Sequence, residues 1–215
     1  MNLSKTFYFT LFLACAFLIA INFLTKGSSL NLIASLSGVL YAFFAGEKKV
    51  VCFFFGFIYN ISYAILAHLW GLKAEVILNL FLYMPMGIYG LISWKKLENL
   101  GEVKIRALDL KMRVVLAFSI VALTYLGVFF FDWMQSNYIL LESFIFVVFI
   151  IAFILQVLRF VESYFLVTLG NMASIMVWFG IFKISTESLT QLLTTILFLF
   201  IGMYYFNRWN RSCRQ

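Results

Sequence analysis

Four carboxamides stand out in a chain whose surroundings give them little reason to be there: Asn60, Asn79, Asn171 and Gln191. Each falls inside a long apolar run, where an unsatisfied polar group is costly and its presence points to function. A carboxamide offers two donors and an accepting oxygen, the inventory needed to hold a small polar ligand. At helical spacing these positions extend into faces. Asn79 shares one with Tyr83 and Met86–Gly87, Asn171 with Ser174 and Trp178, and Gln191 with Thr195. The competing reading is hydrogen bonding that only holds helices together, typically about 0.6–2 kcal/mol per contact.

The elements that must position these groups are membrane spans. The chain is 64% hydrophobic and 12% charged, with a mean hydropathy of +1.01, more apolar surface than a soluble core of 215 residues needs. Eight runs have the ~17–22 residues that a helix requires to cross a bilayer core of ~30 Å. They cover about 7–24, 30–46, 50–69, 72–94, 113–131, 138–158, 162–182 and 187–207. Gly46, Gly71 and Gly101 fall between spans, and Pro85, the sole proline, falls inside the fourth, where it is expected to kink the helix. The first run lacks a small-residue cleavage pattern and is read as a retained helix.

Lys and Arg set the orientation. Thirteen of the sixteen lie on the side of both termini and of the basic 95–113 loop; only Lys26, Lys73 and Lys183 lie opposite. Both termini are therefore expected to be cytoplasmic. The net charge of +7 reads as a topology signal and an attraction to anionic lipids. No basic surface exists outside short loops, so no nucleic-acid partner is expected. Cys15, Cys52 and Cys213 have no zinc-ligand spacing and are expected to be free thiols. No metal or cofactor is expected.

An internal repeat links the carboxamides. Glu75-x3-Asn79-x10-Gly90 in the fourth span matches Glu187-x3-Gln191-x10-Gly202 in the eighth, and Asn60 corresponds to Asn171 one span earlier. Spans two to four and six to eight then form parallel triplets joined by span five, related by an axis along the membrane normal. The expected units are residues 1–29 (an extra N-terminal helix), 30–96 (first triplet), 97–136 (cytoplasmic loop and linker helix), 137–207 (second triplet) and 208–215 (basic tail).

Several motifs resemble the PnuC family of vitamin transporters. They are Gly46-Glu47-Lys48-Lys49, Phe55-Gly56-Phe57-Ile58-Tyr59-Asn60, the run Asn79 to Met86 with Gly90 and Trp94, and Arg159-Phe160-Val161-Glu162-Ser163-Tyr164 with Asn171. The resemblance covers about residues 30–210. It implies an all-α membrane protein with a SWEET-like 3+1+3 fold after one extra helix. It also implies uptake of a vitamin, most often nicotinamide riboside, by facilitated diffusion, with a cytoplasmic kinase trapping the substrate by phosphorylation. A bacterial inner-membrane location and a homotrimer are further implications. Val167 stands where the family often has Trp, and Gly87 where it often has Gln. Thiamine, thought to be carried by relatives, is the alternative substrate.

Both vitamins carry a cationic aromatic ring, to which Tyr63, Tyr83 and Trp178 offer π-faces worth about 0.5–2 kcal/mol each. The expected substrate-binding set is Asn60, Asn79, Tyr83, Gly87, Asn171, Ser174, Trp178 and Gln191. Packing or an interfacial belt is the other reading of the aromatics. Glu75 and Glu187 are read as first-turn or entrance carboxylates, and Glu142 as a cap of span six together with Ser143. Arg159–Glu162 and Glu47–Lys48–Lys49 are read as cytoplasmic turns with surface ion pairs, His68 as an interfacial residue, and Lys183 as snorkelling outward. Competing classes find little support. An enzyme would want HExxH, GxSxG or paired carboxylates at mid-depth; a channel would want a carbonyl filter or a ring of charges. A membrane scaffold needs no polar centre at all.

Overall fold

The computed structural model describes residues 3–99 and 105–214. Gly101, Glu102 and Lys104 of the basic loop lie outside the described residues. Eight helical spans long and apolar enough to cross a membrane are present among those described. Helix α1 is Lys5–Leu24, α2 Ser29–Gly46 and α3 Cys52–Leu69. The fourth span, Lys73–Leu97, is built from α4 (Lys73–Ile77), a π-helical turn (Leu78–Tyr83) and α5 (Met84–Asn99). Then follow α6 (Leu110–Trp133), α7 (Ile139–Val157), α8 (Glu162–Phe182) and α9 (Leu189–Arg214). The positions expected for a basic tail continue α9 rather than leaving it.

Side-chain caps start three of the spans. Ser4, Ser28 and Asp109 accept from the backbone N–H groups of Phe7, Asn31 and Met112 at 3.1, 3.2 and 2.8 Å. Each satisfies one of the amide donors that a helix N-terminus leaves orphaned. Left-handed residues follow five of the spans: Lys26, Lys48, Gln135 and Arg159 have φ of 52° to 67°, and Gly71 has 69°. Such residues reverse the chain just past a helix end. Gly46 serves packing instead, because a Cβ there would overlap the Tyr205 ring.

Six spans form a closed ring. In order, α2 packs on α3, α3 on the fourth span, the fourth span on α7, α7 on α8, α8 on α9, and α9 back on α2. Helix α1 lies outside, on the seam between α2 and α9, and α6 lies outside against α7. Only Ile120 and Phe131 of α6 are buried, so most of its surface is left to face lipid. Two apolar clusters fill the ring toward its ends. One gathers Ala34, Tyr63, Leu66, Ile145, Trp178 and Leu192. The other gathers Ala45, Cys52, Phe53, Trp94, Tyr164, Tyr205 and Trp209 at the end carrying both chain termini.

Polar contacts tie the terminal end together. Glu47 pairs with Arg208 and accepts from the Tyr205 hydroxyl at 3.1 Å, while Trp209 Nε1 donates to the Gly46 carbonyl at 2.9 Å. Burial, with Arg208 nearby, pulls the Lys48 amine below its usual pKa. Glu162 does not pair with Arg159. It accepts from Arg113 at 2.8 Å and from the Leu108 N–H at 3.1 Å. The reason is chain path: the 105–109 segment docks on the α7–α8 turn through Arg106 N–H to Arg159 carbonyl and Val161 N–H to Arg106 carbonyl, both 2.9 Å. That brings the start of α6 to Glu162.

Glu142 also departs from expectation. Its Oε2 caps a neighbouring span, accepting from the Ala74 N–H in α4 at 2.8 Å, while Ser143 bonds back to the Ile139 carbonyl at 2.7 Å. The carboxylate thus fastens the fourth span to α7. Alanine at Glu142 leaves a buried N–H unsatisfied and is expected to cost about 1–3 kcal/mol. A thermal unfolding curve of the purified protein checks this; an unchanged midpoint would show that the bond contributes nothing.

Candidate functional site

A cavity of about 130 Å³ lies inside the ring. One water needs roughly 10–15 Å³ on this measure, so the space admits a small organic molecule. Its walls come from all six ring spans: Tyr41 of α2, Asn60 of α3, Glu75 to Gly87 of the fourth span, Phe149 to Gln156 of α7, Asn171 and Ser174 of α8, and Thr195 of α9. A second hollow, between α6 and α7, holds about 290 Å³ but is lined only by Leu, Gly, Phe, Val and Ile, with nothing to hold a polar ligand.

The fourth span is locally unwound where it meets the cavity. Pro85 lacks an N–H and its ring crowds the preceding turn. Where a kink at Pro85 was expected, the span carries a widened π turn over Leu78–Tyr83, just before the proline. π turns relax the backbone ladder and often occur at functional sites. Asn79 sits inside it, with Nδ2 donating to the Glu75 carbonyl at 2.7 Å. Its Oδ1 is buried and has no hydrogen-bond partner. On α8, Asn171 Nδ2 and Ser174 Oγ are also buried and unpartnered. Asn79, Asn171 and Ser174 are 1%, 3% and 4% exposed, so water outside the fold does not satisfy them. Buried polar atoms are almost always paired. Three unpaired atoms around one cavity form a set of two acceptors and two donors, since the hydroxyl does both.

Aromatic rings supply the rest of the surface. Tyr59 and Tyr63 stack with centroids 5.1 Å apart, and Tyr83 lies against Phe153 at 4.7 Å. Toward the terminal end a hydrogen-bonded chain crosses the ring: the Tyr41 hydroxyl donates to Gln156 Oε1 at 2.9 Å, and Gln156 Nε2 donates to the Tyr164 hydroxyl at 3.4 Å. Toward the other end Trp178 Nε1 donates to the Tyr63 hydroxyl at 3.0 Å. Glu75 is the one charged residue among the described residues of the lining.

Of the eight positions singled out in the sequence, Asn60, Asn79, Tyr83, Gly87, Asn171 and Ser174 line the cavity. Trp178 stands one layer back, behind Tyr63. Gln191 turns toward α2, where Nε2 donates to the Asn31 carbonyl, Asn31 Oδ1 and Ser35 Oγ at 3.1, 3.3 and 3.1 Å. The repeat partners thus differ: Asn79 faces the cavity and Gln191 does not. Their acids differ likewise, Glu75 being buried and Glu187 exposed. Tyr41, Gln156 and Tyr164 had not been picked out as lining. Gln156 did carry a signal, as the one carboxamide in the apolar run of α7.

Comparison with known proteins places this architecture among transport proteins. The sequence model of a family described as nicotinamide mononucleotide transporters matches residues 28–211. A protein from Neisseria mucosa, named nicotinamide riboside transporter PnuC, is 29% identical over 190 residues, covering 85% of this chain and 72% of the relative. A solved structure titled as that of the vitamin B3 transporter PnuC superposes with a TM-score of 0.85, covering 99% of this chain and 94% of the other at 24% identity.

Proposed function

The chain belongs to the nicotinamide mononucleotide transporter family, and from that membership and the lining of the cavity we propose that it carries nicotinamide riboside across the membrane. One observation carries the reading: the lining offers unpaired carboxamides, a hydroxyl, stacked aromatics and a single carboxylate, with no Lys, Arg or His among its described residues. A phosphate dianion buried there would have no counter-charge, at a large desolvation cost. That disfavours a mononucleotide. A dephosphorylated riboside with a cationic pyridinium ring fits: its amide and hydroxyls match Asn79, Asn171 and Ser174, and its ring matches Tyr59, Tyr63 and Tyr83. Thiamine is the second reading. Gly87 and Val167 both line the cavity, and there the chain lacks the Gln and Trp that often stand in the family.

Transport is facilitated diffusion by alternating access. Hydrogen bonds that bridge the ring on either side of the cavity support this. The Tyr41–Gln156–Tyr164 chain and the Trp178–Tyr63 bond each join spans of one half of the ring to spans of the other. Opening either end means separating those contacts, which rocking of α2–α5 against α7–α9 accomplishes. The ring order supports a parallel 3+1+3 repeat, because the seam of the fourth span on α7 then corresponds to that of α9 on α2. Cytoplasmic termini follow from the side holding most Lys and Arg, and a bacterial inner membrane is the location that the family implies. The chain has no GxxxxGK[ST] loop for ATP, so net uptake comes from the gradient and from phosphorylation by a cytoplasmic kinase. A homotrimer remains the assembly implied by the family.

Calorimetric titration of the purified protein with nicotinamide riboside, its mononucleotide and thiamine tests the proposal. Saturable binding of the riboside and none of the mononucleotide is expected. Binding of thiamine alone would transfer the reading to that vitamin, and preferential binding of the mononucleotide would overturn it.

A further inference from the structure

We infer that Glu75 sets the charge selectivity of this site, acting as the counter-ion of a delocalised organic cation and discriminating against an uncharged ligand of the same shape. The inference rests on the proposed riboside reading and names the group that reads the ligand's charge.

Glu75 is 6% exposed and lines the cavity. No Lys, Arg or His accompanies it among the described lining residues, and it forms none of the ion pairs seen among the described residues. A buried carboxylate is ordinarily paired with a cation or bound to a metal, because an isolated charge in a low-dielectric interior is strongly disfavoured. No group of three or more His, Cys, Asp and Glu able to hold a metal exists among the described residues. The nearby carboxylate of Glu142 caps α4 and adds to the negative field instead of neutralising it. One turn on, Asn79, whose Oδ1 is a buried and unpartnered acceptor, lines the same cavity. Tyr59, Tyr63 and Tyr83 line the cavity with Glu75. A carboxylate, an accepting amide oxygen and electron-rich ring faces together favour a flat cation over its neutral counterpart. The sequence supports the same assignment by contrast. Its repeat partner Glu187 is exposed, so burial against a cavity sets Glu75 apart from its counterpart.

Nicotinamide riboside and its dihydro form share the ribose and amide but differ in ring charge, and so make the test. The wild type is expected to bind the cation at least about 10-fold more tightly, the range of a charge-assisted contact. Glu75→Gln should lower cation affinity by about 10–100-fold, leave dihydro binding within about threefold, and so abolish the preference. Glu75→Asp keeps the charge and should keep the preference; if Glu75→Gln gives no folded protein, this variant and the wild-type ratio decide. Equal wild-type binding of both forms, or an undiminished preference in Glu75→Gln, overturns the inference while leaving the riboside reading intact. Failure of the wild type to bind either form overturns both.

Discussion

Alanine at both Asn79 and Asn171 is expected to lower affinity for the transported ligand on the order of 100-fold and to abolish measurable uptake, with unfolding close to that of the parent. The asymmetry follows from how these side chains are used. Asn171 Nδ2 and Asn79 Oδ1 have no partner within the protein, so truncation removes little that holds the fold. Asn79 gives up one bond, its donation to the Glu75 carbonyl inside the π turn. A ligand bonded to both amides would lose about 1–1.5 kcal/mol for each, which compounds to the stated factor. Riboside calorimetry, uptake and thermal unfolding on the same preparation check this. Loss of stability in step with loss of uptake would assign both amides to the bundle instead.

Gln191→Leu should show the opposite signature. The side chain is 1% exposed, and its Nε2 is shared among three oxygens of α2, so it fastens the α9–α2 seam. Removing it leaves the Asn31 and Ser35 oxygens without their donor, at a cost of about 1–2 kcal/mol in a membrane interior. A lower unfolding midpoint with riboside affinity within about threefold of the parent is expected. Lost affinity at unchanged stability would mean that Gln191 reaches the ligand in another conformation of the transport cycle.

These two variants mark where the sequence stops being informative. Span positions were legible because hydrophobic length is a one-dimensional property; the expected 50–69 and 138–158 runs meet α3 and α7 within a few residues. Which polar residues line the cavity was legible for Asn60, Asn79, Asn171 and Ser174, since apolar neighbours leave a polar side chain few other uses. Whether such a residue bonds a ligand or a helix was not, because that depends on what stands across from it. Asn79 and Gln191 occupy equivalent register, yet only Gln191 meets an Asn and a Ser on the next helix. Glu142 and Glu162 failed for the same reason: their partners, Ala74 and Arg113, are 68 and 49 residues away. Local spacing pointed to Ser143 and Arg159. The π turn was foreshadowed by Pro85 only as a disturbance. Gln156 was passed over because its partners, Tyr41 and Tyr164, come from two other spans.

The central claim is that the six-span ring encloses a ligand site whose unpaired amides are completed by substrate. A structure determined with nicotinamide riboside bound tests it most directly. The account predicts ligand density within the ring, with polar atoms in hydrogen-bonding range of Asn79 Oδ1 and Asn171 Nδ2 and the pyridinium ring against the tyrosines near Glu75. Ligand found in the apolar hollow between α6 and α7, or anywhere that leaves both amides unpartnered, would contradict it.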